Sequence, residues 1–303
     1  MKIRSVVALV GLAISFAWPT FAQHPQPAGH FVTFDPPGST LTTATAINPA
    51  GTVTGAYNDA AGVIHGFIRT AGGTFTSFDA PSGNILNSIY TGFGTPPSIN
   101  PAGVIAGTYS DSSFTEHGFL REGNGTLTTI DVPGSTFTEV LAINPAGTIT
   151  GDFGCTTTVC FHGFLRTLDG TFITTGFPNF PGSGIPLCIN PAGTTAGSYL
   201  DASNAWHGFV RAANGTLTTF DVPGVKNVLN FEVLAINPAG TLTGNYFTDT
   251  LHGFLRAPDG AFTTFDVPGS TGTGGNAINP AGTVAGVFLD TAGVFHGFLF
   301  FTD

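Results

Sequence analysis

The sequence predicts an all-β protein, a six-bladed β-propeller with four antiparallel strands per blade, closed by the N-terminal strand. Three observations carry the prediction. The string Ile-Asn-Pro-Ala-Gly occurs six times, with its Asn at 48, 100, 144, 190, 237 and 279. The triplet His-Gly-Phe also occurs six times, with its His at 65, 117, 162, 207, 252 and 296, at successive spacings of 52, 45, 45, 45 and 44 residues. Each repeat divides at Gly- and Pro-containing turn signals into four short β-favouring runs. Helical repeats would need amphipathic runs that segments so rich in Gly, Thr and Phe do not supply.

The elements follow in order. Lys2 and Arg4 precede the apolar run 5–17, and Pro19 and Ala22 follow it, so residues 1–22 read as a secretory signal peptide. The run is too short to span a bilayer, and no later stretch is longer. Residues 23–30, with two prolines and no periodicity, read as a flexible leader, which leaves 31–303 for the propeller. Phe31-Val32-Thr33-Phe34-Asp35 matches the fourth run of a repeat, Phe262 to Asp266, while the chain ends on a third run, His296 to Phe300. The two ends therefore complete one blade between them and leave no open edge. Within a repeat, the first run ends in Ala-Ile-Asn, as at Ala142 to Asn144. Pro-Ala-Gly then turns the chain, Pro fixing φ and Gly allowing a positive one. The second run is exemplified by Gly240 to Tyr246, the third by His252 to Arg256, and the fourth by Phe262 to Asp266.

Composition excludes several function classes. Charged residues make up 9% of the 303, hydrophobic residues 42%, and Phe alone numbers 29, so there is ample material for a core. The formal net charge of −10 becomes −12 once Lys2 and Arg4 are removed with the signal peptide. Such a chain lacks the Lys/Arg clusters that a phosphate backbone demands, which excludes nucleic acid as a partner. No nucleophile elbow, zinc signature or phosphate loop is present, so no cofactor is implied.

The pattern Ile-Asn-x-x-Gly-x-x-x-Gly followed by His-Gly-Phe-Leu resembles the HAF repeat of bacterial exported proteins over residues 31–303. The middle residue is Gly where that family usually has Ala, and Arg stands where it often has Trp. The resemblance implies an extracellular repeat protein without a general activity, and it transfers no catalytic residue.

A residue found once in every repeat is expected to do the same structural job in each. The third–fourth hairpin places His65 near Asp79, His207 near Asp221 and His252 near Asp266, so the histidines are read as pinned by carboxylates rather than as metal ligands. The turn aspartates Asp59, Asp111, Asp201, Asp249 and Asp290 lack the ligand count of a calcium loop. The Arg residues that end the third runs, from Arg69 to Arg256, are expected to snorkel along the opposite rim. Cys155 and Cys160 bracket one turn and suit a local disulfide in an oxidising compartment. Cys188 takes the small slot held by Ala142 in another repeat, as a free, inert thiol.

Function is expected where the repeats differ. The first fourth-to-first connection is the longest and contains Asn84, Asn87, Tyr90 and Phe93. The one before blade five holds Lys226, Asn227, Asn230, Phe231 and Glu232, and Trp206, the only Trp after the signal peptide, lies on the same rim. Tyr90, Phe93, Trp206, Lys226, Asn230 and Phe231 are therefore the candidate ligand-binding set, suited to a carbohydrate or a protein at the cell exterior. Two alternatives stand beside this. One is a carbohydrate-active hydrolase or lyase using Glu139 and Glu232, with Glu116 or His117 in support; the other is a purely structural cell-surface protein.

Overall fold

The computed structural model describes residues 28–81, 84–85, 97–154, 161–175, 185–201, 203–226 and 228–302, with backbone only at 84–85, 161–163, 175 and 185–187. The signal peptide, Tyr90, Phe93, Cys155 and Cys160 lie outside the described residues. Six sheets form the blades of a ring, and all described regular structure is β. Blade one is Leu41–Ile47, Val53–Asn58, Ile64–Arg69 and Phe75–Phe78, each antiparallel to the next. Blades three, four and five repeat the order from Phe137, Ile185 and Asn230. Blade two departs from it: two short pieces, Asn84–Ile85 and Ser98–Ile99, share the innermost position beside Ile105–Ser110.

The ring closes through the chain ends. Gly29–Phe34 pairs antiparallel with Phe295–Thr302, with Phe31 opposite Phe300 and Phe34 opposite Gly297. The strand starts two residues before the expected 31, so Gly29 and His30 belong to the blade and not to the leader.

First strands touch across the junctions of blades one and two, two and three, four and five, five and six, and six and one, which places them innermost. The core lies between blades. One cluster joins Phe34 and Leu299 of blade six to Ala44 and Phe67 of blade one, and another joins Val222 of blade four to Phe231, Val233 and Phe254 of blade five. The Phe of each described His-Gly-Phe side chain is at most 1% exposed.

The repeat's other invariants have physical causes. A Cβ on Gly66, Gly253 or Gly297 would fall 2.3–2.5 Å from the ring of Phe78, Phe265 or Phe34, so the ring closing the fourth strand leaves room only for Gly. The Asn of Ile-Asn-Pro-Ala-Gly serves its own turn and the next blade. Asn48 Oδ1 accepts the N–H groups of Ala50 and Thr52, and its Nδ2 donates to the Asn100 carbonyl at 3.3 Å. Asn190 and Asn237 repeat the inter-blade bond at 3.4 Å.

The arginines correct an expectation. Arg69, 9% exposed, lies 4.8 Å over Phe34 of the preceding blade, and Arg121 and Arg256 lie over Phe78 and Phe220 in the same way. They join blades by cation–π contact rather than snorkelling; Arg211 alone is exposed. In blade six Phe300 replaces the guanidinium and stacks on Phe265 at 5.2 Å.

Candidate functional site

One rim carries the turns between second and third strands and the connections between blades. Its framework, in blades one, two, four and six, is an imidazole held between two carboxylates. His207 Nδ1 bonds Asp221 at 2.6 Å, while its Nε2 lies 3.4 Å from Asp201. His65, His117 and His296 make the same pair of contacts, to Asp79 and Asp59, Asp131 and Asp111, and Asp35 and Asp290. His252 bonds Asp266 and, on its other nitrogen, the Thr250 hydroxyl. Each ring also packs on a second-strand aromatic, as Tyr199 does on His207 with centroids 5.1 Å apart. The backbone N–H of the residue four further on holds the carboxyls of Asp59, Asp111, Asp201 and Asp290 below the usual range. Asp79 and Asp266, accepting from Nδ1–H of His65 and His252, favour the charged imidazoles and raise both. Burial opposes the charged form of His207 and His296, yet their two carboxylates outweigh it and raise both. Among the described residues no group of three or more His, Cys, Asp or Glu is arranged to hold a metal ion.

Among the described junctions, the one between blades four and five departs from the pattern of the two that follow Asp-Val-Pro-Gly elsewhere. Between blades two and three, Asp131-Val132-Pro133-Gly134 makes a tight turn with Gly134 at φ +80°. The Thr138 hydroxyl then accepts the Val132 N–H at 3.0 Å and meets Ser135 Oγ at 3.0 Å. Thr273 closes the junction of blades five and six identically, through Val267 and Ser270. The register position of Thr138 and Thr273 belongs in blade five to Phe231, opposite Tyr246. No hydroxyl can tie the turn there, and the chain takes nine residues, Asp221 to Leu229, where six, Asp131 to Thr136, suffice between blades two and three.

The result is a cavity of about 370 Å³ at the junction of blades four and five. Val222, Val225 and Val228 from the lengthened connection give it an aliphatic wall. Half-buried Trp206 supplies an aromatic side, and Phe231, only 1% exposed, forms the floor. Ser203, Asn204, His207 and Asp221 complete a polar edge. The Asp221 side chain is 68% exposed, so it offers acceptor capacity beyond its bond to His207.

The expected set is thus brought together in part. Trp206 lines the cavity, but Phe231 is a core residue, stacked edge-on to Phe220, and not an exposed aromatic as the sequence reading had it. Lys226 is exposed on the same connection without lining the cavity. Asn230 donates to Glu232 Oε1 at 3.0 Å instead of facing a ligand. Sequence reasoning missed Ser203, Asn204 and Asp221. Its available signal was the loss of the Ser-Thr-x-Thr ending that follows Asp-Val-Pro-Gly elsewhere.

The carboxylates of the catalytic alternative are engaged within their own blades. Glu139 stands opposite Asp152 and hydrogen-bonds to it, and Glu232 stands opposite Asn245. Burial and the Asp152 charge raise the Glu116 carboxyl, and burial raises that of Asp152. Glu116 and His117 are successive strand residues and point to opposite faces, so they make no acid–base pair. Burial pushes the Cys188 thiol up to about 12, as befits an inert sulfur.

No family model matches the chain, and no curated protein sequence matches it. Solved structures resemble it in fold. A triple arginine-to-alanine variant of AofleA from Arthrobotrys oligospora aligns with a TM-score of 0.54 at 11% identity, covering 90% of this chain and 86% of that one. A gluconolactonase from Xanthomonas campestris aligns at 0.53 and 12% identity, covering 93% and 96%. The fungal lectin of Aleuria aurantia, a six-bladed propeller with a fucose recognition mode, aligns at 0.52 and 10%, covering 86% and 93%. These likenesses show the six-bladed propeller fold and no more.

Proposed function

We propose that the chain is an exported binding module that takes a carbohydrate in the cavity between blades four and five. The cavity carries the reading. An indole face receives the C–H face of a pyranose, while Asp221, Asn204 and Ser203 offer acceptors and donors to its hydroxyls. A fucose-recognising lectin of similar fold supports this by analogy. Export rests on the signal-like segment and the HAF-like repeat, and no helix of the described residues is long and apolar enough to cross a membrane. The test is titration of purified residues 23–303 on a glycan panel, with Trp206→Ala alongside and reducing-sugar release monitored. Binding without release, weakened by the substitution, supports the proposal; sugar binding indifferent to Trp206 contradicts it.

The hydrogen-bonded pair of Glu139 and Asp152, with burial raising the Asp152 carboxyl and burial and the Asp152 charge raising that of Glu116, favours a second reading, a hydrolase or lyase using these carboxylates. Sugar release in the same screen, abolished by Glu139→Gln, would establish it.

A further inference from the structure

Phe114 sits at the tip of the blade-two turn, 90% exposed and at a left-handed φ of 62°. The corresponding turns of blades one, four and six place Gly62, Asn204 and Gly293 there, at φ +79°, +61° and +81°. Those residues tolerate the conformation; a Phe is strained by it and loses its packing as well. The turn itself does not need Phe. Asp111 Oδ1 accepts the N–H groups of Ser113 and Thr115 just as Asp201 accepts those of Ser203 and Ala205. A strained and solvent-exposed aromatic at a repeated turn marks function.

We infer that Phe114 is a second contact for the ligand of the blade-four cavity, which makes that ligand a polysaccharide chain lying across the rim. The inference rests on the carbohydrate reading above. Phe114 occupies the same turn position, on the same rim, as Asn204 at the lip of the cavity. Blade three lies between them, so two inter-blade spacings of about 10 Å each put the span on the order of 20 Å, beyond one sugar. The neighbours of Phe114 are Asp111, Ser113 and Thr115. A single ring among hydroxyls suits stacking on a sugar, whereas a protein interface would want a contiguous apolar core.

The experiment is calorimetric titration of residues 23–303 with cello- and chito-oligosaccharides, as disaccharide and octasaccharide. It compares the wild type with Phe114→Gly, Phe114→Asn and Trp206→Ala. The wild type is expected to bind the octasaccharide about tenfold or more tightly than the disaccharide, because the second contact acts at high effective concentration. Phe114→Gly and Phe114→Asn should erase that gain, keep the disaccharide affinity, and melt no lower than the wild type. Retention of the full gain in both variants overturns the inference and leaves the cavity reading standing. Disaccharide binding unaffected by Trp206→Ala overturns the cavity reading instead, and wild type that binds none of these chains overturns both.

Discussion

The junction between blades five and six and the junction between blades four and five both begin with Asp-Val-Pro-Gly and end differently. In the first, Thr273 ties the turn to Val267 and Ser270 and fills the space between blades. In the second, Phe231 has no hydroxyl to offer, the connection lengthens, and three valines and a Trp surround a cavity. One substitution at a register position and a short insertion separate a closed joint from an open cavity. The shared framework stays in place, since His207 and His296 keep the same pair of carboxylate partners. Symmetry therefore carries stability here, and its local failure opens the cavity to which the proposed ligand is assigned.

The largest effect comes from breaking a closed joint outright. Removing residues 23–36 strips the outer strand from blade six, and with it the partly buried Phe31 and the buried Phe34, the latter alone worth about 1.5–3 kcal/mol of burial. The melting temperature should collapse, and a truncated chain that melts like the longer one would contradict ring closure. Next, Phe231→Ala should cost about 3–5 kcal/mol, because a fully buried ring leaves a hole. Thr273→Val at the closed joint should cost about 1–3 kcal/mol, the penalty of stranding the Val267 N–H. Denaturant unfolding of both variants checks the ranking. If Thr273 matters more than Phe231, the two joints are not held as described.

The rim relay predicts a pH profile. Asp59, Asp111 and Asp290 titrate below the ordinary carboxylate value near 4, so their stabilisation is complete above it and is lost as pH falls through their lowered values. His65, His207, His252 and His296 titrate above the ordinary imidazole value near 6.5, so theirs is complete below it and is lost as pH rises through the raised values. Melting temperature should peak between about pH 4 and about pH 6.5. A profile still rising at pH 8 is the contrary result. The smallest effect on folding belongs to Trp206→Ala, at about 1 kcal/mol for a half-buried ring, against a tenfold or larger loss of sugar affinity.

The architecture was legible because repetition multiplies weak signals. Six Asn and six His at near-constant spacing define the strands, and the match of Phe31–Asp35 to Phe262–Asp266 foretells closure. The His–Asp pins were readable from a hairpin count, since register alone fixes which side chains meet. The arginines were not, because cation–π contact depends on the ring that the preceding blade presents. Phe231 looked like a surface aromatic because it follows a long connection; its register opposite Tyr246 puts it in the core. Phe114 passed unnoticed although its neighbours in the alignment of repeats are Gly, Asn and Gly, a pattern that has meaning only once the backbone sign is known.

The most direct measurement exchanges the joints. Replacing residues 225–231 with the Ser135–Thr138 sequence installs the short turn and its hydroxyl between blades four and five. The variant, melted and titrated beside the unaltered protein with a glycan that the latter binds, should fold cooperatively and melt no lower than Phe231→Ala, because the hydroxyl tie and the shorter turn offset part of the lost ring. It should also lose sugar binding, because Val225 and Val228 are gone and Thr closes the gap. A folded variant that binds the same sugar with the same affinity would show that the ligand sits elsewhere on the ring.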